Sequence, residues 1–198
     1  NSLENFIPFA QKMGLSTLTD PKKYGLSLTL GGGEVKMIDM ATAFGVFANQ
    51  GKKQNLVSIL KVENSLGKTL EETLPTGRQG KIQEGEEVLP IEVAYLISHT
   101  LLDNNARSMV FGSSSYLNVR GHPEVSVKTG TTNDKRDNWT IGYNPSRLVV
   151  VWVGNNNNKM MSAIASGITG ASPIWNKIMT FALKDFKQEW PSKPDSIV

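Results

Sequence analysis

The chain has 198 residues, of which 39% are hydrophobic and 20% charged, a composition typical of a folded globular protein. Its 21 basic and 18 acidic residues are spread along the chain without a basic block, so no nucleic-acid-binding surface is indicated. The absence of cysteine excludes disulfides and thiolate metal sites, and no apolar run is long enough to span a membrane. The chain begins without an initiator methionine or a signal peptide, and we interpret it as a segment of a longer protein.

The first part of the chain predicts mainly helices. Apolar residues at helical spacing predict one helix over residues 3–14, which Gly14 ends. A second helix is expected to begin near Glu34 and to stop at Gly51. We therefore treat residues 1–54 as a helical part. The residues expected on the packed face of the second helix are Val35, Ile38, Ala41, Gly45 and Ala48.

The middle of the chain predicts a hairpin, a loop and one more helix. Residues 55–74 are predicted to form a β-hairpin whose first strand covers 56–62. A polar loop follows over 75–87, and apolar periodicity then predicts a helix over 88–102. The residues expected on the packed face of this helix are Val93, Ile97 and Leu101. Residues 103–124 lack a clear period and predict a mixed loop.

The last third of the chain predicts an antiparallel sheet closed by a helix. Residues 125–154 form a three-strand core, with strands at 125–132, 138–144 and 147–154. Alternation puts Val125 and Val127 on the buried face of the first strand and Ser126 on the other face. Residues 172–187 predict a C-terminal helix, and together with the helical first part this gives an α+β fold. The expected stripe of that helix is Ile174, Ile178 and Ala182, extended by Trp175, Met179 and Leu183.

The five residues Lys128-Thr129-Gly130-Thr131-Thr132 end the first of these strands and combine a cation, a glycine and three hydroxyls. Glycine costs stability inside a strand unless a ligand or another backbone must come close. Lysine can carry either a charge or a proton, and a backbone N–H near Thr131 can stabilise a developing oxyanion. The segment therefore fits a site for a small carboxylate. An ordinary edge strand with a solvated lysine explains the tripeptide Lys128-Thr129-Gly130 equally well, because chance matches to so short a motif are common.

Further motifs surround this segment in a fixed order. Residues 137–145 match the pattern D-x-W-x-x-G-Y-x-P, and residues 149–155 contain V-W-V-G. In these motifs the chain resembles the transpeptidase domain of penicillin-binding proteins, especially the bifunctional class A type. The resemblance runs from about residue 6 to residue 183, and the other blocks that carry it are 30–35, 41–44, 47–51, 59–62 and 171–175.

The resemblance implies a partial serine β-lactamase/transpeptidase-like fold and a serine acyl transfer that cross-links peptidoglycan stem peptides. It implies that Lys128 lies in the polar network around the serine, and that Thr129 and Thr131 bind the terminal carboxylate of the substrate. By the same resemblance the N–H of Thr131 completes the oxyanion hole and Gly130 allows the substrate to come close. Thr132 belongs to the same substrate-binding strand.

The other residues whose side chains could take part in binding or catalysis have simpler interpretations. Trp139 and Trp152 lie on adjacent predicted strands, where packing is the simpler role and stacking of Trp139 on a substrate is the alternative. His99 and His122 have no partners at metal-ligand spacing, so no metal site is predicted. The resemblance implies no cofactor either.

The serine motif S-x-x-K of the family is where the chain departs from the pattern. Two strings match it, Ser58-Ile59-Leu60-Lys61 and Ser65-Leu66-Gly67-Lys68. The chemistry needs the serine and the lysine one helical turn apart, whereas the first string lies in a strand pattern and the second in a glycine turn. We therefore expect the nucleophile upstream of this chain. Residues 1–198 would then be the C-terminal portion of one transpeptidase domain, inactive alone and with an unpaired strand edge at 147–154.

The resemblance also implies partners and a location. The partners are peptidoglycan stem peptides, β-lactams and the rest of the parent transpeptidase domain. The location is the extracytoplasmic face of the bacterial cytoplasmic membrane, reached through a membrane-anchored parent protein. Two alternatives remain open: a β-lactamase or D,D-carboxypeptidase of the same fold, which would carry a deacylating carboxylate, and a non-catalytic penicillin sensor, which would lack the serine altogether.

Overall fold

The computed structural model describes residues 2–72, 85–161 and 170–197, along which helices and short strands form an α+β fold. The helices are α1 (Leu3–Met13), α2 (Met37–Ala48), α3 (Ile91–Leu102), α4 (Asn104–Phe111) and α5 (Ala171–Leu183). The strands are β1 (Lys52–Lys53), β2 (Lys61–Glu63), β3 (Thr69–Glu72), β4 (Glu86–Glu87), β5 (Ser126–Thr131), β6 (Asp137–Tyr143) and β7 (Leu148–Gly154). Two short 3-10 helices, Pro21–Lys23 and Leu26–Leu30, lie between α1 and α2.

A three-stranded antiparallel sheet of order β5-β6-β7 forms the centre of the fold. Its register places Lys128 opposite Ile141 and Gly130 opposite Trp139. The hairpin between β6 and β7 is closed by Asn144, whose side-chain oxygen accepts hydrogen bonds from the backbone N–H groups of Ser146 and Arg147 at 3.1 and 2.8 Å. Asparagine is a preferred turn residue because its side chain can make such bonds to the backbone.

Helix α5 packs on one face of this sheet through a row of small residues on β6. Gly142 leaves the space that the Trp175 indole fills, and Trp175 Nε1 donates to the carbonyl oxygen of Val149 at 3.2 Å. Next to it, the hydroxyls of Thr140 and Ser172 lie 2.9 Å apart. The core between sheet and helix consists of Leu117, Val119, Val125, Val127, Val151, Ala171, Trp175, Met179 and Leu183.

The stripe that we expected on the C-terminal helix was partly wrong. Trp175, Met179 and Leu183 are fully buried, whereas Ile174 and Ile178 are 47% and 46% exposed. The helix also begins at Ala171, one residue early, and ends at Leu183 rather than at residue 187. The reason is the small-residue row on β6, which selects the helix face that carries the large Trp175 indole.

Helices α2 and α3 cover the opposite face of the sheet. The Phe44 ring lies edge-on to Tyr143 at 6.2 Å, and the hydroxyls of Ser98 and Tyr143 are 3.0 Å apart. The Ser126 hydroxyl donates to the carbonyl oxygen of Ser98 at 2.8 Å. Ser126 is therefore as buried as Val125 and Val127, because both faces of the sheet are covered at this point.

The packed faces that we predicted for α2 and α3 were also wrong. The buried residues of α2 are Asp39, Ala43 and Val46, and those of α3 are Ala94 and Ser98. Ile38 is 53% exposed, and Val93 and Ile97 are 40% and 39% exposed. Asp39 is buried because its carboxylate accepts hydrogen bonds from Ser16, from the backbone N–H at 2.8 Å and from the hydroxyl at 2.7 Å. Buried polar residues with partners far away in sequence cannot be found from apolar periodicity.

Helix α1 follows the prediction closely. It ends at Gly14, whose φ of 115° lies in the left-handed region that glycine adopts without strain. A side chain at this position would also collide with Thr42 of α2, so the glycine both stops α1 and allows α2 to approach.

The connecting segments differ most from the sequence-based assignment. Within the predicted strand 56–62 only residues from Lys61 onward pair, as β2 with β3, and the side chains of 56–60 are exposed. Residues 86–87, assigned to a loop, pair with β1 as β4. Residues 73–84, which include the end of the predicted hairpin and most of the loop at 75–87, lie outside the described residues.

The sequence-based prediction of a loop over residues 103–124 was wrong in part, because the segment contains helix α4. Asp103 begins it, since its carboxylate accepts a hydrogen bond from the N–H of Ala106 at 3.0 Å, and Gly112 ends it. None of its residues is buried, and Met109 and Val110 are 95% and 75% exposed, so this short helix lacks the buried apolar face that a helix prediction relies on. In the part of the chain that the structure describes, no helix is both long and apolar enough to span a membrane.

Candidate functional site

Residues 128–132 lie at the free edge of the central sheet, because β5 pairs with β6 on one side only among the described strands. The N–H of Thr132 donates to Asp137 O at 3.1 Å, so Thr132 faces β6. In an antiparallel ladder the backbone groups of successive residues point alternately to the two sides. The N–H and C=O groups of Thr131 and Thr129 therefore point away from β6, toward the open edge.

The Lys128 ammonium lies at this same edge. The side chain is exposed, and Nζ donates a hydrogen bond to the carbonyl oxygen of Thr129 at 2.5 Å. A positive charge thus lies beside the outward-pointing backbone groups of β5. An anionic ligand placed along the edge would meet the Lys128 ammonium and the Thr131 N–H together.

No steric contact among the described residues requires a glycine at position 130. A Cβ added to it would approach only Trp139 Cβ, at 3.8 Å, which is ordinary contact. Its φ is also outside the left-handed region. Glycine in a strand costs about 0.5–1 kcal/mol relative to alanine. The glycine therefore points to a need for close approach from outside the strand, as expected for a ligand.

The Thr131 hydroxyl is held by Asn138 on the neighbouring strand. Asn138 Nδ2 donates to Thr131 Oγ1 at 2.9 Å, and Asn138 Oδ1 accepts from the N–H of Ala171 at 2.6 Å. Asn138 is fully buried, whereas Thr131 is exposed. One end of the contact is therefore packed inside the protein and the other end reaches the open edge.

Thr132 helps to build the turn after β5. Its Oγ1 accepts hydrogen bonds from the N–H groups of Arg136 and Asp137 at 2.9 and 3.0 Å. Arg136 Nη1 in turn donates to Asn158 O at 2.5 Å, which connects this turn to the segment after β7. Thr132 thus belongs to the predicted strand segment, but its hydroxyl oxygen is used inside the turn.

The two tryptophans near the site pack on each other. The rings of Trp139 and Trp152 lie 6.4 Å apart at an angle of 52°, and Trp152 Nε1 donates to Asp137 Oδ1 at 2.9 Å. Trp139 is partly buried and projects on the same side of the sheet as Lys128, since the side chains of Trp139 and Ile141 share a face and Ile141 pairs with Lys128.

Neither S-x-x-K string lies on a helix. Ser58 is in the irregular exposed segment before β2, and Lys61 is in β2, where it forms an ion pair with Glu63 at 2.7 Å. Ser65 lies in the turn between β2 and β3, and Lys68 directly precedes β3. The described residues also contain no group of three or more His, Asp or Glu side chains that could hold a metal ion.

Sequence reasoning missed Asn138 and the Ser98–Tyr143–Ser126 contacts. A usable signal was present for Asn138, because every second residue of β6 from Asn138 to Gly142 is small or polar. A strand face of this kind is typical of close approach by another element, here α5. No comparable signal marked Ser98, which lies on a helix far from β5 in sequence.

Comparison with known proteins places this geometry in a known fold. The chain superposes on penicillin-binding protein 1A from Haemophilus influenzae with a TM-score of 0.77, 23% identity, and coverage of 100% of this chain and 33% of that one. It superposes on the penicillin-binding protein PonA1 from Mycobacterium tuberculosis with a TM-score of 0.76, 25% identity, and coverage of 94% and 51%. The fold is that of penicillin-binding protein transpeptidase domains.

Relatives in sequence agree with the fold. The chain is 31% identical to penicillin-binding protein 1A from Neisseria lactamica over 173 residues, which is 87% of this chain and 21% of that protein. It is 29% identical to penicillin-binding protein 1A from Pseudomonas aeruginosa over 238 aligned positions, 99% of this chain and 28% of that protein. No family model matches the chain. Its homologues are thus class A penicillin-binding proteins, and it spans 21–28% of the length of these two relatives.

Proposed function

We propose that the chain provides the carboxylate-binding strand of a serine D,D-transpeptidase that cross-links peptidoglycan stem peptides. The observation that carries the proposal is the open edge of β5, where the Lys128 ammonium, the outward N–H of Thr131 and the side-chain-free Gly130 lie together. The relatedness to penicillin-binding protein 1A supports it. So does PonA1, since that protein was also solved in complex with penicillin V.

Each group on the edge has a role in acyl transfer. The serine attacks the carbonyl carbon of the penultimate D-alanine, the C–N bond to the terminal D-alanine breaks, and the leaving amine takes a proton. Lys128 binds the developing charge and shares in proton movement around the serine, as lysine can in a polar site. The Thr131 N–H donates to the oxyanion that forms on the attacked carbonyl oxygen. Thr129 and Thr131 bind the terminal carboxylate, and Thr132 supports them from the turn.

The serine itself comes from outside these 198 residues, so the isolated chain does not form an acyl-enzyme. The active species is the full-length gene product, which acts at the extracytoplasmic face of the bacterial cytoplasmic membrane. Its partners are the stem peptides, β-lactams and the remaining part of the same transpeptidase domain.

Covalent labelling of the full-length gene product by a fluorescent penicillin tests the proposal. Wild-type protein is expected to label stoichiometrically, and Lys128→Met to label at least about 100-fold more slowly, the size typical of losing a group that moves protons or charge in the transition state. The matched control is Lys187→Met, an exposed lysine outside the sheet, which should label at the wild-type rate. The isolated chain should give no adduct.

The outcomes separate the alternatives. Absence of labelling in the wild-type full-length product would contradict the transpeptidase and would favour a non-catalytic sensor. Labelling followed by release of the adduct within minutes would instead favour a β-lactamase. Equal labelling rates for Lys128→Met and wild type would show that Lys128 has no role in the reaction.

A further inference from the structure

The hydrogen bonds around Asn138 have a fixed direction. The N–H of Ala171 can only donate, so the Asn138 atom 2.6 Å from it must be the amide oxygen. The other end of the amide is therefore the NH₂ group, which donates to Thr131 Oγ1 at 2.9 Å. The usual ambiguity in the orientation of an asparagine amide is thus removed by its backbone partner.

This direction determines what the Thr131 hydroxyl can offer a ligand. A hydroxyl has one hydrogen to donate and two lone pairs that accept. Because Asn138 donates to one lone pair of Thr131 Oγ1, this contact does not use the hydroxyl hydrogen, and the exposed side of Thr131 leaves room for it to be donated to a ligand. The hydroxyl is therefore free to donate this hydrogen to a ligand, which suits a carboxylate.

The chain of donors begins at the amino end of a helix. Ala171 is the first residue of α5, and its N–H is one of the groups that have no partner inside the helix. The partial positive charge at a helix N-terminus polarises the bonds that follow, from Ala171 through Asn138 to Thr131. The donation thus runs in one order, from Ala171 to Asn138 and from Asn138 to Thr131 on the edge strand β5.

We propose that Asn138 is a positioning residue that keeps the Thr131 hydroxyl hydrogen available to the ligand and so gives the site its preference for a carboxylate over a neutral group. The inference rests on the proposed function, because it assigns a cause to the carboxylate binding of the same strand. Asn138 does not touch the ligand. It is completely buried, and it acts through Thr131.

The test compares two forms of one probe in the full-length gene product: a penicillin with its free carboxylate, and its neutral methyl ester. The measured quantity is the ratio of their second-order acylation rates, which an unfolded fraction of the enzyme does not change. Asn138→Asp keeps the shape, and one carboxylate oxygen still accepts from Ala171. The other oxygen can only accept, so it turns the Thr131 hydrogen inward. We expect the acid-to-ester ratio to fall at least about 10-fold, the size of one hydrogen bond to a charged group.

Asn138→Asp also brings a negative charge near the ligand. A double-variant cycle separates the effect of that charge from the effect of reorienting the Thr131 hydroxyl. Thr131→Val removes the hydroxyl and should lower the ratio by a similar factor. With Thr131→Val already present, Asn138→Asp should lower it by less than about 3-fold, since no hydroxyl is left to reorient. An equal fall in both backgrounds would show that charge alone acts and would overturn the inference, as would an unchanged ratio in Asn138→Asp alone.

A neutral variant covers the case in which Asn138→Asp does not fold. Asn138→Ala frees the Thr131 hydroxyl without adding charge, so the ratio should fall about 3-fold, and no change would overturn the inference. Failure of the proposed function looks different, because wild-type protein would then be acylated by neither probe.

Discussion

The two ends of strand β5 differ in almost every physical respect. At its beginning, Ser126 and Val127 are 0% and 4% exposed, with α5 on one side of the sheet and α2 and α3 on the other. At its end, Lys128 and Thr131 are exposed, and the backbone of Thr129 and Thr131 faces an open edge. The strand thus has a closed end and an open end within six residues.

The difference shows how a binding segment can be exposed and still be held in place. A site works only if its groups keep their positions, and positions are kept best on rigid elements supported by packing and hydrogen bonds. The closed end provides this support through the contacts of Ser126 with Ser98 and of Gly142 with Trp175. The open end then presents charge and backbone donors without carrying the stability of the sheet.

The largest effect is expected from a methyl group at the closed end. In Gly142→Ala the new Cβ would overlap Trp175 Cζ2 and lie 2.9 Å from Ser126 O. Neither a buried indole nor a strand backbone can move away easily, so we expect a loss of about 3 kcal/mol in the free energy of unfolding. Urea denaturation of the two proteins measures it. A loss below about 1 kcal/mol would mean that the closed end is not tightly packed.

A second effect is expected at alkaline pH. Burial raises the pKa of Tyr143 to about 12, although its hydrogen bonds with Ser98 and Ser126 oppose the rise. This pKa lies above that of tyrosine in the unfolded chain. The stabilisation of the folded state by neutral Tyr143 is therefore complete below about pH 10 and is lost as the pH rises to about 12. Wild-type protein should lose on the order of 2–3 kcal/mol over this window through Tyr143.

The control for this pH dependence is a substitution that removes the ionisable hydroxyl of Tyr143. Tyr143→Phe cannot ionise at this position, so its stability relative to wild type should improve steadily between about pH 10 and 12. Tyr116→Phe, which alters a tyrosine that is 52% exposed, should follow wild type. Parallel curves for wild type and Tyr143→Phe would contradict the burial of the hydroxyl.

A smaller effect is expected from the link between the strand and α3. Ser126→Ala removes the hydroxyl that donates to Ser98 O at 2.8 Å, and one buried hydrogen bond contributes about 1 kcal/mol. Ser65→Ala, at an exposed turn position, should change stability by less than about 0.5 kcal/mol. Equal unfolding midpoints for the two variants would show that the Ser126 contact contributes nothing.

The smallest change in stability is expected at the open end. In Gly130→Ala the new Cβ meets only Trp139 Cβ at 3.8 Å, so the free energy of unfolding should stay within about 1 kcal/mol of wild type. If close approach is the reason for this glycine, penicillin labelling of the full-length product should nevertheless slow at least about 10-fold. A variant that labels normally would contradict the role of Gly130, and one that unfolds easily would contradict the openness of this end.

The parts of the fold that local chemistry determines could be predicted from the sequence. Gly14 stops α1 because its left-handed conformation suits glycine, and the strands β5 to β7 follow from alternating apolar residues separated by turns. Asp103 was also a readable signal, since aspartate is a preferred residue at the start of a helix. The loop assignment for α4 overlooked it.

The parts that depend on distant partners could not be predicted. The buried faces of α2 and α3 carry Asp39 and Ser98, whose hydrogen bonds go to Ser16 and Tyr143. A pattern of apolar residues assigns such polar side chains to the solvent side. The motif around Lys128 identified the site, but the donors that orient Thr131 depend on Asn138 and on the start of α5.

The four tryptophans lie in different parts of the molecule, which fluorine spectroscopy can observe separately. Trp175 is completely buried between α5 and the sheet, Trp190 is 51% exposed, and Trp139 and Trp152 form a pair on β6 and β7, level with Gly130 at the open end of β5. Incorporation of 5-fluorotryptophan would therefore give each region its own ¹⁹F resonance. The Trp175 signal would report whether α5 stays packed on the sheet, while the Trp139 and Trp152 signals would respond to ligand. The packing of the closed end and the binding at the open end could then be followed in one spectrum.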